Sequence, residues 1–169
     1  MHERAAEFAA RAQDRYDVDL DVSEFDAGTE TAAAAADAVG CDTAAIASTI
    51  VVSLSGGEVG PDGDASDGDP LVAAITSGAN RLDLDAVAAH FGADDAAMAD
   101  PARIRDVVGW SIGGVPPLCH DTQLPAVFDP TLAEYDTVYG AAGTPSALFA
   151  MEPDRLVSLA NATTVDFTE

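Results

Sequence analysis

The sequence contains no lysine, so its permanently cationic side chains are seven arginines. Thirty aspartates and glutamates bring the formal charge to −23 at neutral pH. Nucleic-acid binding normally depends on Lys and Arg that neutralise phosphates, so the charge by itself argues against a polyanionic partner. However, the carboxylates are spread along most of the chain, which is typical of halophilic proteins adapted to molar salt. At about 1 M salt the Debye length falls to roughly 3 Å, and the net charge then says little about partners.

Cysteine and histidine are also scarce, and their spacing matches no common metal site. Cys41 and Cys119 show no CxxC spacing, and His2, His90 and His120 form no i, i+4 pair. The sequence therefore predicts neither a metal site nor a cofactor nor a disulfide framework. Both cysteines are interpreted as core or pocket-edge thiols rather than nucleophiles.

Long apolar runs are absent as well. None approaches the roughly 18 residues that a membrane-spanning helix needs, and the N-terminus is amphipathic. These features predict a cytoplasmic protein that does not bind membranes. Apolar residue types nevertheless make up 48% of the 169 residues, enough to close a core, and we expect a single domain over residues 1–169.

Hydrophobic periodicity and capping residues predict an α+β protein with a mixed sheet, because the predicted strands outnumber the helices available as crossovers. Helices are predicted at residues 3–16, 32–39, 82–91, 101–108 and 153–159, with helical turns at 43–46 and 130–135. Strands are predicted at residues 18–25, 47–54, 71–76, 126–128, 139–142, 147–151 and 164–167.

Residues 55–70, between two predicted strands, are dense in Gly, Asp and Pro, which predicts an enlarged hairpin loop. Part of this segment, residues 62–69, resembles a calcium loop. It lacks the glycine at position six and the bidentate acid at position twelve, which favours a solvated acidic loop.

A glycine- and proline-rich segment covers residues 109–120. Its first five residues match the G-x-S-x-G nucleophile elbow around Ser111. That elbow needs a strand before the serine and a helix after it, whereas glycines and prolines follow at once, so triad chemistry is disfavoured. Gly113 and Gly114 permit close approach of the backbone to a ligand, but the same composition also suits a loop that only reverses the chain. The residues alone leave both alternatives open.

Motif order along nearly the whole chain provides a further clue. The motifs are residues 38–40, Ile46 with 49–54, 71–78, Asn80-Arg81-Leu82-Asp83-Leu84, Phe91-Gly92, 98–101, 109–117, 125–129 and 135–143. In this order they resemble the YbaK / prolyl-tRNA synthetase associated domains, which edit mischarged tRNA. Gly113-Gly114-Val115-x-Pro117 downstream of Leu82-Asp83-Leu84 is the most specific part of the resemblance.

The resemblance implies a mixed, barrel-like β-sheet with surrounding helices. It implies hydrolysis of the ester between a wrong amino acid and the 3′ end of a tRNA, by a free-standing protein acting in trans. Its expected partners are the tRNA aminoacyl end and prolyl-tRNA synthetase, with no role in DNA binding; the oligomeric state is left open. The substrate is expected to be tRNAPro carrying Cys or Ala.

The same resemblance implies roles for particular residues. The loop around Gly113 and Gly114 would hold the scissile carbonyl, and Trp110 would either pack on the terminal adenine or fill the core. Arg81, Arg103 and Arg105 are the candidates for phosphate contacts, with surface ion pairs as the alternative. The implied substrate-binding residues are Ser77, Gly78, Trp110, Val115, Pro116, Pro117, His120 and Asp129.

One departure from the family pattern concerns catalysis. Members known to edit carry a lysine where this chain has Ser48, within Ile46-Ala47-Ser48-Thr49. A serine supplies a hydroxyl but no cation. Two hypotheses follow: a deacylase in which Ser48, Thr49, Gly113 and Gly114 orient the ester and water, with His120 as another candidate for positioning water, or a non-catalytic protein that binds an aminoacyl-tRNA end, a nucleotide or an amino acid. A protein that merely kept the fold is a third alternative.

Overall fold

The computed structural model describes residues 3–25, 31–55, 71–110, 115–122, 124–144 and 146–168. The helices within these ranges are α1 (Glu3–Tyr16), α2 (Ala32–Val39), α3 (Leu84–Phe91), α4 (Pro101–Val108) and α5 (Pro153–Ala160), with 3-10 turns at Thr43–Ala45 and Leu132–Glu134. The strands are β1 (Asp21–Glu24), β2 (Ile46–Ser55), β3 (Leu71–Ser77), β4 (Asp95–Met98), β5 (Ala126–Phe128), β6 (Val138–Ala141), β7 (Ala147–Met151) and β8 (Ala162–Thr164). No described helix is long and apolar enough to cross a bilayer.

Side-chain caps and glycines define the ends of the short helices. Thr31 Oγ1 accepts a hydrogen bond from Ala34 N and begins α2, while Gly40 ends that helix at φ 76°. In the same way, Asp100 caps the start of α4 and Gly109 ends it at φ 90°. Each cap satisfies backbone groups that a helix end leaves without a partner, and glycine adopts the left-handed conformation without a Cβ penalty.

The described strands form one mixed sheet in the order β1-β7-β6-β2-β3-β5-β8, with β4 paired to β2 outside this path. The pairs β2–β3, β2–β4, β6–β7 and β1–β7 are antiparallel, whereas β2–β6, β3–β5 and β5–β8 are parallel. The predicted α+β class is confirmed, and β2 and β3 pair antiparallel as a hairpin requires. The predicted hairpin loop itself lies outside the described residues, apart from Ser55. Closure of the sheet into a barrel is not seen among the described residues, because β1 and β8 lie at opposite ends of the order.

Two strands differ from the sequence-based prediction. β4 was not predicted, because Asp95–Met98 is short, mostly exposed and poor in β-branched residues; it becomes a strand by pairing with β2. The closing strand lies at Ala162–Thr164 rather than at residues 164–167, because it is there that the chain pairs with β5. Phe167 is buried after the strand has ended, where its C=O accepts from Asp83 N beside an isolated bridge between Leu82 and Thr168.

Most other differences concern element ends. α3 begins at Leu84 rather than at residue 82, because the side chain of Asp83 caps it. β1 covers only Asp21–Glu24 of the predicted 18–25, because only those residues pair with β7. These shifts leave the order of the elements unchanged.

Apolar side chains pack on both faces of the sheet. The main core contains Phe8 from α1 together with Trp110, Phe128 and Phe149, and Phe8 meets the Trp110 ring edge-on with 6.0 Å between the ring centroids. A second cluster on the other face includes Val52, Leu54, Val72, Val127 and Phe167, and α3 packs against it. Full burial of an aromatic or branched side chain contributes roughly 1.5–3 kcal/mol to stability.

One edge of β2 leaves an opening in the sheet. β6 pairs with Ile46 and Ala47, and β4 pairs from Val52 to Ser55, so residues 48–51 have no strand partner on this edge within the described chain. Val51 O accepts from Ala99 N on this edge. Since backbone groups alternate between the two edges of a strand, Thr49 N–H and C=O point into the opening.

Candidate active site

A cavity of about 180 Å³ lies at this opening; we call it the small cavity. It brings Ser48 and Thr49 of β2 next to Val115, which directly follows Gly113 and Gly114 in the chain. Gly113 and Gly114 themselves lie outside the described residues. The other lining residues are Thr31, Ala32, Ala35, Ile46, Ala47, Ile50, Ala141 and Leu148. Three predicted site residues, from two distant parts of the chain, therefore line the same cavity.

Thr49, which lines the small cavity, carries a buried hydroxyl. Its Oγ1 is buried and has no hydrogen-bond partner among the described residues. A buried hydroxyl without a partner costs about 1–3 kcal/mol, so such groups in native proteins call for an explanation. A ligand that hydrogen-bonds to Thr49 provides one.

The small cavity has neutral walls. No described lining residue carries a charge, so none of these side chains supplies the cation that a lysine at position 48 would bring. The N-terminal end of α2 borders the cavity through Thr31 and Ala32, and its first turn holds no acidic residue. Because a helix N-terminus carries a partial positive charge, this end of the cavity favours an electronegative oxygen.

Ser77 and Gly78 are placed beside the small cavity rather than in its lining. The buried Ser77 donates its hydroxyl to Ala44 O at 2.7 Å, and Gly78 N donates to Ile46 O at 2.8 Å. These bonds hold the turn at Thr43–Ala45 and the start of β2 against the end of β3. In this structure the two residues position the wall that carries Ser48 and Thr49.

Substitution of Gly78 by Ala is expected to destabilise the fold by about 3 kcal/mol, because Thr43 and Ala32 leave no room for the added methyl group. A Cβ at this position would lie 2.6 Å from Thr43 O and would also overlap Ala32 Cβ. The control is Gly40→Ala, which meets no atom within 4 Å and suffers only the left-handed φ of 76°, about 1 kcal/mol. Equal loss in the two variants, measured by urea unfolding, would contradict the packing argument.

Asp129 is buried at 1% exposure and accepts hydrogen bonds at both carboxylate oxygens. Oδ2 accepts from Ser77 N at 3.0 Å and from Asn80 Nδ2 at 2.9 Å, and Oδ1 accepts from Thr131 N at 2.9 Å. Asn80 was not predicted as a functional residue, although it opens the Asn80-Arg81-Leu82-Asp83-Leu84 motif. Asp129 and Asn80 thus tie β3 to the chain after β5 and do not line the small cavity.

Trp110 occupies the core. It is fully buried, its Nε1 donates to Cys119 O at 3.0 Å, and the Arg4 guanidinium lies 4.1 Å from the ring centroid. Of the two alternatives for this residue, the structure shows the one in which the indole fills the core.

A nucleophile elbow around Ser111 would need a strand before it. The helix α4 directly precedes Gly109 instead, and Ser111 itself lies outside the described residues.

His120 and Pro117 belong to a different cavity, of about 340 Å³, which we call the large cavity. His120 is 7% exposed, and its Nε2–H donates to Pro116 O at 2.6 Å. Burial lowers the pKa of His120, so the imidazole is neutral at pH 7. Burial also raises the pKa of the neighbouring Cys119 to about 11, which keeps it a thiol. The structure therefore does not bring His120 together with Ser48 and Thr49.

The candidate phosphate contacts lie elsewhere on the surface. Arg81 and Arg105 are exposed and Arg103 is half-buried, and none of them lines the small cavity. Their role in phosphate binding stays a prediction. Within the described ranges, no group of three or more His, Cys, Asp or Glu side chains is placed to hold a metal ion.

Comparison with known proteins identifies the family. The model of the aminoacyl-tRNA editing domain matches residues 26–159. The chain belongs to this family. A crystal structure of a proposed trans-editing enzyme for prolyl tRNA synthetase is 34% identical in sequence to this chain. The two structures superpose with a TM-score of 0.87, over 100% of this chain and 99% of that one. The structure of hypothetical protein APE2540 is 25% identical with a TM-score of 0.76, over 99% of this chain and 100% of that one.

Curated relatives of this editing domain include two bacterial proteins. The uncharacterised protein YwhH of Bacillus subtilis is 28% identical over 138 residues, which cover 80% of this chain and 78% of YwhH. The multifunctional Ser/Thr-tRNA deacylase ProXp-y of Escherichia coli is 34% identical over 73 residues, which cover 43% of this chain and 44% of ProXp-y.

Proposed function

We propose that this editing domain acts in trans and hydrolyses the ester between an amino acid and the 3′ end of a mischarged tRNA. The observation that carries the proposal is the small cavity, where Ser48, Thr49 and Val115 meet at the open edge of β2. Within the described chain, this edge combines strand backbone that pairs with no other strand and a hydroxyl without a hydrogen-bond partner. An ester and its amino acid would provide partners for both.

The proposed chemistry needs no lysine. Water, oriented by the ribose 2′-OH of the substrate, attacks the ester carbonyl carbon, and the bond to the ribose 3′-oxygen breaks. The water proton passes to that oxygen, so the products are a free amino acid and a tRNA with its 3′-OH restored. Backbone donors at the open edge, such as Thr49 N–H, stabilise the negative charge on the carbonyl oxygen. We further propose that Gly113 and Gly114 contribute backbone donors to the same charge.

The lining of the small cavity favours an amino acid that carries a hydroxyl group. Thr49 Oγ1 has no hydrogen-bond partner among the described residues. The side chain of Ser or Thr would provide one, whereas Ala would leave the buried oxygen unsatisfied. The name of ProXp-y assigns Ser/Thr-tRNA deacylation to that relative. We therefore propose seryl- and threonyl-tRNA as preferred substrates; cysteinyl- and alanyl-tRNAPro remain the prediction from sequence.

Thr49→Val is expected to lower deacylation of seryl-tRNA about tenfold, because one hydrogen bond to the substrate is lost while side-chain volume is kept. The same change is expected to stabilise the free protein by about 1 kcal/mol, because it removes an unsatisfied buried hydroxyl. The measurements are kcat/KM with seryl-tRNA and the melting temperature, both in about 2 M KCl, where charge repulsion is screened.

Thr76→Val is the matched control. Thr76 pairs with Ser48 across the sheet and is equally β-branched, but its Oγ1 already donates to Ala74 O at 3.3 Å. Its replacement should leave kcat/KM unchanged and should not raise the melting temperature. Equal losses of activity in the two variants would contradict the role assigned to Thr49.

Ser48→Lys tests the proposal against the binding-only alternative. Substrates are tRNAs charged with Ser, Thr, Ala and Cys. Turnover by the unmodified protein supports a deacylase that works without lysine. Tight binding without turnover, with hydrolysis appearing only in Ser48→Lys, would replace the proposal with a protein that binds the aminoacyl end.

A further inference from the structure

The large cavity lies between the C-terminal ends of α1 and α5 and shares no lining residue with the small cavity. Arg15, Tyr16, His120 and Asp121 supply polar groups, and Leu124 and Leu159 belong to its apolar wall. Its volume of about 340 Å³ falls within the range of small-molecule sites, which combine an apolar lining with a few convergent polar groups. None of the steps proposed for ester hydrolysis uses it.

The polar wall is built from groups that hold one another in place. Arg15 Nη1 donates to His120 O at 2.7 Å, and the Tyr16 hydroxyl oxygen accepts from Cys119 N at 3.4 Å. Cys119 adopts φ 64°, a conformation that non-glycine residues rarely occupy and that clusters at sites where ligands bind. These two hydrogen bonds connect the end of α1 to Cys119 and His120.

Two hydrogen-bonding groups of this wall remain available within the described chain. Arg15 pairs with no described carboxylate and uses only Nη1, so the rest of its guanidinium can donate. His120 is more than nine-tenths buried and uses Nε2 on Pro116, which leaves Nδ1 of the neutral ring as an acceptor. The nearby Asp121 carboxylate is paired with Arg11 at 2.8 Å, so it does not cancel the charge of Arg15.

We propose that the large cavity binds a free α-amino acid with a short branched apolar side chain. The Arg15 guanidinium binds the carboxylate, since its planar donors match carboxylate geometry. His120 Nδ1 accepts from the ammonium group, and Leu124 and Leu159 contact the side chain. The site is separate from the one proposed for ester hydrolysis, and its existence does not depend on that activity.

The test is a ligand-observed NMR titration of the intact protein with leucine at pH 7 in about 2 M KCl, a salt level that screens non-specific charge attraction. Saturable binding is expected for leucine, with affinity at least tenfold lower for leucinamide, which lacks the carboxylate, and for isocaproate, which lacks the amine. No saturable binding of leucine would overturn the proposal. Equal affinity for leucine and either analogue would overturn the assignment to an amino acid.

Arg15→Gln should weaken leucine binding about tenfold, as expected when a charged hydrogen bond is lost. The matched control is Arg155→Gln on α5, an equal charge change at an arginine outside the large cavity. An equal effect in both variants would overturn the contact. If Arg15→Gln fails to fold, the comparison of leucine with leucinamide on the unmodified protein decides the same contact.

Discussion

Transfer of this protein from about 2 M KCl to about 10 mM KCl is expected to unfold it, because the Debye length grows from a few ångströms to roughly 30 Å and the carboxylates then repel one another across the whole molecule. The net charge is −23. Many of the buried apolar residues are alanines, which bury little surface each, so the core has little stability in reserve against this repulsion.

Circular dichroism measured during dialysis to low salt follows this transition, with the loss of helical signal as the expected result. Sucrose stabilises folded proteins because it is excluded from their surface, and it does not screen charge. Its addition at low salt therefore tests whether the fold can be restored without screening. The triple substitution Asp37→Asn, Asp106→Asn and Asp136→Asn at exposed positions should lower the KCl concentration at the transition midpoint. A protein that keeps its helical signal at about 10 mM KCl would contradict both the charge argument and the halophilic interpretation.

Asp129→Ala is expected to lower the free energy of unfolding by about 4 kcal/mol, because it leaves three hydrogen-bond donors without their acceptor. Ser77 N–H is fully buried, and Asn80 and Thr131 are half-buried, so water cannot replace the carboxylate in full. Urea unfolding in about 2 M KCl measures the loss, since urea leaves the screening by salt unchanged.

Asp129→Asn and Asp136→Ala are the accompanying variants. Asn keeps the shape of Asp129 but directs an NH2 group at one of the donors, so an intermediate loss is expected. Asp136 is exposed, and its replacement should change stability by less than about 0.5 kcal/mol. An unchanged free energy of unfolding in Asp129→Ala would show that the carboxylate does not hold β3 to the chain after β5.

The helices could be predicted from the sequence because their signals are local. Thr31 and Gly40 lie within one helix length of each other, as do Asp100 and Gly109, and each pair defines a helix through its own backbone geometry. The predicted helix at residues 3–16 is confirmed for the same reason, since its apolar stripe repeats at helical spacing.

The candidate site could be predicted only in part. The resemblance singled out Ser48, Thr49 and Val115, and the structure places all three at the small cavity. The resemblance could not show that His120 lies at the large cavity, apart from these three residues. It also could not show that Trp110 fills the core. Both outcomes depend on α1, whose side chains contact Trp110 and residues 119–121, about a hundred positions away in the sequence.

The sequence by itself determined the helices and most strands, because capping residues and periodicity are read over short distances. It also determined the family to which the chain belongs, because the motifs follow one another in the family's order along the chain. Only the tertiary structure decided that β4 exists, that the last strand lies at Ala162–Thr164 and that β2 has an open edge between β6 and β4. A strand pairs, or fails to pair, with segments remote in the sequence, so its edges and its openings are properties of the folded sheet and not of any one segment.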